Sequence, residues 1–227
     1  MRLSIILFDG FTALDVVGGY EVLARIPGVE TEFVAAQRGV IAADTRRLGL
    51  AAYRTFEEVS STDILYVPGG PGARPLETNP SFHEYLRALD ASSEWTVGVC
   101  NGCTLLAAAG LLANQSATTN WFDRDRLVEY GAKFVPERYH RTGKYITGAG
   151  VSASIDTALF LASILAGPQV AKAIQLGIEY FPQPPFPERT PADSAPSIQE
   201  VVRSFEARAA RQWHKIPAPF PHVALDC

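Results

Sequence analysis

Short apolar runs alternate along the chain with longer segments in which apolar residues recur at helical spacing. The short runs predict strands at residues 2–8, 30–36, 64–67, 96–99, 133–136 and 145–147. The longer segments predict helices at residues 14–24, 80–90, 102–113 and 154–165. Strands and helices in this order are typical of an α/β fold, so we expect a mostly parallel sheet with helices on both faces.

Weaker alternations and turn residues predict how the sheet ends. Residues 40–43 and 48–54 are expected to form a hairpin at one sheet edge, and residues 141–144 are expected to form a second hairpin turn. No linker rich in Ser or Gly divides the chain before the proline-rich stretch that begins at residue 182. We therefore expect a catalytic domain over residues 1–181. Residues 182–227 are expected to form a connector and a C-terminal helix that packs on the domain or on a dimer partner.

Composition and charge narrow the classes of function. The net charge is −4 and the basic residues are scattered, so nucleic-acid binding, which needs clustered Lys and Arg, is not expected. The first apolar run meets Asp9 at once and is too short for a secretion signal. Later apolar runs are about half the ~20 residues that span a bilayer, so no membrane contact is expected. The odd count of three cysteines, with Cys227 at the terminus, favours free thiols and a cytoplasmic location.

Three loops that directly follow predicted strands carry unusual residues. They are Pro68-Gly69-Gly70-Pro71-Gly72, Cys100-Asn101-Gly102 and Gly148-Ala149-Gly150. Ligands of an open α/β sheet bind outside the carboxyl ends of its strands, so these loops mark the expected site of a small-molecule substrate. The loop at residues 68–72 could present backbone N–H groups as an oxyanion hole or an anion nest, and it could equally be a plain turn.

Cys100 occupies the turn between a predicted strand and a predicted helix. Glycines at positions 98 and 102 leave room for a nucleophile elbow, in which the nucleophile itself carries the backbone strain. The following helix would direct its N–H groups and positive dipole end at the sulfur, which predicts a lowered thiol pKa and a thiolate. We therefore expect Cys100 to be the reactive centre of an enzyme. The alternative is an inert buried cysteine.

Cys100 and Cys103 also form a Cys-x-x-Cys pair, a spacing found in dithiol redox sites and zinc sites. None of the four histidines forms a pair at ligand spacing, so we expect no metal. A redox dithiol remains an alternative, although Cys103 is expected on the first helical turn, facing the sheet.

The residue beside the expected nucleophile is Asn101, and no histidine base follows an obvious strand. Asp15 is the best candidate partner, because it lies just beyond the first predicted strand and hence at the same edge of the sheet. The alternative is a carboxylate that stabilises the N-terminus of a helix, and the sequence leaves both interpretations open.

Several sequence motifs, spread along nearly the whole chain, match one known family. They include Leu14-Asp15-Val16-Val17-Gly18-Gly19, Pro68-Gly69-Gly70, Val99-Cys100-Asn101-Gly102, Ala117-Thr118-Thr119-Asn120-Trp121, Thr147-Gly148-Ala149-Gly150-Val151 and Gln175-Leu176-Gly177-Ile178-Glu179-Tyr180. In these motifs the chain resembles the DJ-1/PfpI superfamily, which has a flavodoxin-like fold, and within it the isocyanide hydratase branch. Asp15 discriminates best, since DJ-1-like members usually carry glutamate there.

The resemblance implies a role for each matching residue. Cys100 would be the nucleophile, Asp15 its hydrogen-bonded acid/base partner, Gly70 part of the backbone donor set, and Val151 the start of a mobile helix behind the cysteine. We place Gly70, Asn101 and Val151 around the substrate. The chain departs from the branch in two places: Asn101 replaces the usual Thr or Ser, and Asn120-Trp121 replaces a His-Trp pair.

The resemblance also implies the reaction, in which an organic isocyanide is hydrated to an N-substituted formamide through a thioimidate on Cys100. No cofactor would be needed, and the protein would be a homodimer. Two alternatives stay open: cysteine-dependent glyoxalase-like or deglycase-like action on reactive carbonyls, and a non-enzymatic redox or ligand sensor. A ligand sensor of the AraC type would need a further DNA-binding domain, for which we expect no room in this chain.

Overall fold

A seven-stranded sheet forms the centre of the protein in a computed structural model that describes residues 1–219. Its strands lie in the order β10-β11-β7-β6-β1-β2-β5. Strand β10 runs antiparallel to β11, and the other neighbours pair in parallel. The strands are β1 Arg2–Ile6, β2 Glu30–Ala35, β5 Arg54–Thr55, β6 Ile64–Val67, β7 Trp95–Val99, β10 Tyr139–Thr142 and β11 Tyr145–Gly148.

Helices surround this sheet in two groups that are defined by their mutual contacts. One group contains α1, α6 and α7, and the other contains α2, α3, α4 and α5. Their bounds are α1 Ala13–Leu23, α2 Ala73–Leu76, α3 Pro80–Ser92, α4 Gly102–Ala108, α5 Arg124–Glu129, α6 Ala153–Leu165 and α7 Gly167–Gly177. The predicted α/β class is confirmed.

Four short strands pair outside the main sheet. The predicted hairpin is present as β3 Gly39–Ala42 and β4 Gly49–Ala52, but it forms a separate two-stranded sheet, so its expected place at an edge of the main sheet is wrong. Strands β8 Ser116–Ala117 and β9 Lys133–Phe134 pair in parallel as another small sheet.

Two elements differ from the sequence-based expectation. Helix α4 ends at Ala108 rather than at residue 113, because the chain then turns through Gly110, whose φ of +83° is unfavourable for other residues. The predicted hairpin turn at residues 141–144 does join two strands, but the first of them, β10, was not expected. Its residues Tyr-His-Arg-Thr are polar because β10 is an edge strand.

The central strands are buried on both faces. All four residues of β6 are buried, as are the last four residues of β1 and of β7. Continuous apolar runs of this kind are what a parallel sheet covered by helices requires. Because strands β1, β6, β7 and β11 run in parallel, their carboxyl ends lie at the same edge of the sheet. The three unusual loops converge at this edge.

The chain continues beyond α7 to the helix α8, Pro196–Gln212, whose side chains are exposed or half-buried. The ring of Trp213 packs against Gly10, and the Arg46 Nε donates to the carbonyl of Ile216 at 3.0 Å. The segment that directly follows α8 thus contacts the rest of this chain, while the domain division at residue 181 and the packing of the C-terminal helix stay predictions. Among residues 1–219, no helix is both long enough and apolar enough to cross a membrane.

Gly102 offers a test of the packing that sets the start of α4. A methyl group at this position would clash with the carbonyl oxygen of Val67 and come within 2.7 Å of the Pro68 oxygen. We expect Gly102→Ala to lower the free energy of unfolding by about 1–3 kcal/mol, as other overpacked sites do. The matched control is Gly177→Ala in α7, where a methyl group meets no atom within 4 Å. Equal stability of the two variants in denaturant unfolding would contradict the close approach of α4 to β6.

Candidate active site

Cys100 lies on the sharp turn between β7 and α4, with a φ of +56°. This conformation is unfavourable for a residue with a side chain, and it is held by its neighbours. The Cys100 N–H points at the carbonyl oxygens of Gly148 and Ala149, each at 3.1 Å. Its own carbonyl accepts a hydrogen bond from the Thr119 hydroxyl at 2.7 Å. The predicted strain of the nucleophile elbow is confirmed.

Asp15 lies in the first turn of α1 and is fully buried. Its Oδ2 accepts a hydrogen bond from the Gly69 N–H at 2.8 Å. Its Oδ1 is buried with no partner of hydrogen-bond geometry among residues 1–219. The Cys100 side chain interacts with the Asp15 carboxyl strongly enough to affect its pKa. A carboxyl group buried with one oxygen unpartnered is poised to exchange a proton.

The environment of Asp15 raises its pKa from 3.8 to about 7. Burial is the largest cause, because it disfavours the charged carboxylate. The hydrogen bond from Gly69 acts in the opposite direction, the charge of Asp44 adds to the rise, and the interaction with Cys100 lowers the pKa. Burial is therefore the main reason that Asp15 can hold a proton near neutral pH.

The pKa of the Cys100 thiol is raised well above its ordinary value, so the predicted lowering is wrong. Burial is the largest cause, and the negative charges of Asp15 and Asp123 add to it. The N–H groups of Asn101 and Val151 act in the opposite direction but do not prevail. The resting cysteine is therefore a thiol, and its activation requires a group that accepts the proton.

Both glycines of the loop between β6 and α2 use their N–H groups on side chains. Gly69 donates to Asp15, and Gly70 donates to the Asn101 Oδ1 at 2.6 Å. The Gly70 N–H is thus occupied in this structure and is not free for a substrate. The donors that face the sulfur are the N–H groups of Asn101 and Val151.

Val151 precedes α6 with a φ of +26°, which is strained for a β-branched residue. Its N–H is one of the two backbone groups that lower the thiol pKa of Cys100. The structure thus brings together Cys100, Asp15, Asn101 and Val151, with the Gly69-Gly70 backbone between them.

Cys103 lies on the first turn of α4 and faces the sheet, as expected. It is fully buried, and its Sγ lies 3.6 Å from the Gly148 carbonyl oxygen. Burial raises its thiol pKa further than any neighbouring N–H lowers it. Cys100 and Cys103 are both free thiols, and Cys227 lies outside the described residues. Within residues 1–219 no group of three or more His, Cys, Asp or Glu side chains is arranged for a metal ion.

A cavity of about 1230 Å³ opens above Cys100. The loops of the sheet edge form its floor, and α8 with the turn before it closes one side. The Arg203 guanidinium lies 4.5 Å from the centre of the Trp121 ring, which joins α8 to the rest of the wall. The sequence did not indicate these lining residues, because nothing local relates α8 to the sheet. Among the described residues, the aromatic side chains that line the cavity are Trp121, Phe122, Phe134, Phe205 and Trp213.

Asn120 belongs to a network of buried side chains beside the cysteine. Its Oδ1 lies 3.0 Å from the Thr119 hydroxyl, and its Nδ2 donates to Asp123 at 2.8 Å. The Asp123 carboxylate is also paired with Arg74. Because the Thr119 hydroxyl donates to the Cys100 carbonyl, this network helps to hold the elbow in place.

The chain is similar to several known proteins. Residues 1–164 match the DJ-1/PfpI family. An isonitrile hydratase from Pseudomonas putida is 38% identical over 210 residues, which are 92% of this chain and 90% of that protein. A glutathione-independent glyoxalase from Caenorhabditis elegans is 28% identical over 157 residues, 69% of this chain and 80% of that protein. The crystal structure of a ThiJ/PfpI family protein from Pseudomonas syringae has a TM-score of 0.84 at 28% identity, and covers 93% of this chain and 90% of that chain.

The raised thiol pKa of Cys100 leads to a prediction for alkylation by iodoacetamide. Cys100 lines the cavity and Cys103 does not, so Cys100 should be labelled before Cys103, at a rate that rises as the pH is raised above neutral. Asp15→Asn removes a negative charge that raises the thiol pKa, so the rate profile should move to lower pH. Peptide mapping by mass spectrometry gives the order and the rates. Earlier labelling of Cys103, or an unchanged profile in Asp15→Asn, would contradict the assigned electrostatics.

Proposed function

The chain belongs to the DJ-1/PfpI family, and on this basis we propose that it is an isocyanide (isonitrile) hydratase with Cys100 as nucleophile and Asp15 as proton carrier. The observation that carries the proposal is the buried carboxyl of Asp15 beside the Cys100 thiol, with a pKa of about 7. The 38% identity to an isonitrile hydratase over 92% of the chain supports the choice of substrate class.

The first chemical step joins the Cys100 sulfur to the terminal carbon of the isocyanide. Because the resting cysteine is a thiol, the Asp15 carboxylate first accepts its proton. The thiolate then forms the S–C bond, and the isocyanide carbon takes the proton from Asp15. The product is a thioimidate with a new C–H bond, and Asp15 is again a carboxylate.

The second step hydrolyses this thioimidate. Water adds to the carbon while Asp15 accepts one of its protons and passes it to the nitrogen. The C–S bond then breaks, the remaining hydroxyl proton returns to the sulfur, and the N-substituted formamide leaves. The net reaction consumes one isocyanide and one water, and Cys100 and Asp15 return to their initial protonation states.

The pKa of Asp15 suits both directions of proton transfer. A carboxyl group with an ordinary pKa of 3.8 is almost fully ionised at neutral pH and has no proton to donate. A carboxyl group with a pKa near 7 can both accept and donate a proton. The two N–H groups that face the sulfur, from Asn101 and Val151, stabilise the thiolate while it forms and when it leaves.

A second candidate is glyoxalase-like action on a 2-oxoaldehyde, which the similarity to the worm glyoxalase favours. It would use the same thiol and carboxyl. Mass spectrometry of the products formed from a panel of isocyanides and 2-oxoaldehydes distinguishes the two activities.

The homodimer and the cytoplasmic location stay predictions, and the particle mass in solution tests the first of them.

Substitution of Asp15 tests the proposed mechanism. Asp15→Asn keeps the shape but carries no transferable proton, so we expect kcat for formamide production to fall by about 10²–10⁴-fold while Cys100 still reacts with iodoacetamide. The matched control is Asp125→Asn, which removes an exposed carboxylate from the first turn of α5. Turnover of isocyanide by Asp15→Asn at the unmodified rate would show that Asp15 is only a helix-terminal carboxylate.

A further inference from the structure

The side-chain amide of Asn101 makes two hydrogen bonds to the same residue of the glycine loop. The Gly70 N–H donates to the Asn101 Oδ1 at 2.6 Å, and the Asn101 Nδ2 donates to the Gly70 carbonyl at 3.0 Å. Asn101 is 4% exposed, so water does not compete with either bond. The pair fixes the amide plane of Asn101 against the Gly70 backbone.

Gly69, which directly precedes Gly70, contacts Asp15. The Gly69 N–H donates to the Asp15 Oδ2, and a side chain at position 69 would clash with the Asn101 amide and come within 2.9 Å of the Cys100 Cβ. One dipeptide, Gly69-Gly70, therefore lies between the acid and the residue that follows the nucleophile. Movement of this dipeptide would change the position of Asp15 relative to the sulfur.

We propose that Asn101 is a positioning residue that aligns Asp15 with Cys100 by holding the Gly69-Gly70 backbone. This role differs from the substrate contact expected from the sequence. The turnover measurement that tests it rests on the proposed function, whereas the measurement of Cys100 alkylation does not.

The electrostatics give the proposal a measurable sign. The Gly69 N–H is the largest influence that lowers the Asp15 pKa. Loss of the Asn101 contact frees the loop and weakens that hydrogen bond, so the Asp15 pKa rises further. At neutral pH Asp15 is then ionised in a smaller fraction of the molecules, so fewer of them hold a carboxylate that can accept the thiol proton. Its smaller negative charge also raises the Cys100 pKa less.

The backbone of Asn101 is supported independently of its side chain. The Thr104 hydroxyl lies 2.7 Å from the Asn101 carbonyl oxygen and 2.8 Å from the Glu77 Oε1. The Leu105 N–H donates to the same Asn101 carbonyl at 3.2 Å. Shortening the side chain therefore removes the contact with Gly70 and leaves these bonds at the start of α4 in place.

The test compares Asn101→Ala in the natural background and in the Asp15→Asn background. A methyl side chain has no polar atom and reaches neither the N–H nor the carbonyl of Gly70. In the natural background, we expect the pH profile of Cys100 alkylation by iodoacetamide to shift to lower pH. In the Asp15→Asn background, we expect no further shift, because the residue through which Asn101 acts has lost its charge. Asn79→Ala, which removes a side-chain amide that does not line the cavity, is the control.

Steady-state kinetics with an isocyanide provide the second readout. Misalignment of the acid should lower kcat on the order of 10- to 100-fold and leave KM within about twofold. A raised KM with unchanged kcat would show that Asn101 contacts the substrate, and an equal alkylation shift in both backgrounds would show that it acts on the sulfur directly. Either result overturns the proposal.

Two provisions keep the test decisive. If Asn101→Ala does not fold, Asn101→Val also lacks the amide, fills more of the space and replaces it in every arm. If no isocyanide is turned over, the proposed function fails, while the alkylation profiles in the two backgrounds still confirm or overturn the positioning role.

Discussion

Burial of the Asp15 carboxyl is the constraint on which the rest of the site depends. Close packing of α1 excludes water from this side chain. Side chains at Gly18 and Gly19 would clash with Ser154 of α6 and Tyr66 of β6. The Tyr66 hydroxyl also donates to the Asp15 carbonyl at 2.7 Å. The two glycines therefore let α1 approach the sheet and α6 closely, and the desolvation of Asp15 follows from that approach.

The same burial determines the state of the nucleophile. A cysteine near the start of a helix would ordinarily be expected to ionise easily, yet burial and the Asp15 charge outweigh the N–H groups that face the sulfur. The acid and the thiol thus lie in an environment that disfavours charge on either. This arrangement suits a reaction that adds one proton to carbon and later returns one to sulfur.

Much of the fold could be predicted from local pattern. The continuous apolar residues of β6 and the Gly-x-Cys-x-Gly turn are sufficient to predict the central sheet and the strained Cys100. Strands β8 and β9, with two residues each, are too short to leave a periodic signal. Strand β10 is polar because it lies at the edge, so its sequence resembles a loop.

That Cys100, Asp15 and Asn101 lie close together could be predicted from the sequence, and their electrostatics could not. Cys100, Asp15 and Asn101 could be named because they follow strands that end at one sheet edge. The pKa of the Cys100 thiol depends on its burial in the folded protein. The partner of the Gly70 N–H depends on the rotamer of Asn101. The place of α8 beside the cavity depends on contacts such as Trp213 against Gly10, which span the length of the chain. No local sequence pattern encodes these three features.

The pKa of Asp15 is the quantity on which the account depends most directly. It can be measured by carbon NMR of protein labelled at the aspartate carboxyl groups, with Asp15→Asn used to assign the signal. The account predicts a pKa of about 7 that stays well above 3.8 in Cys100→Ala, because burial rather than the thiol is its first cause. A pKa near 3.8 in the natural protein, or a fall to that value in Cys100→Ala, would contradict it.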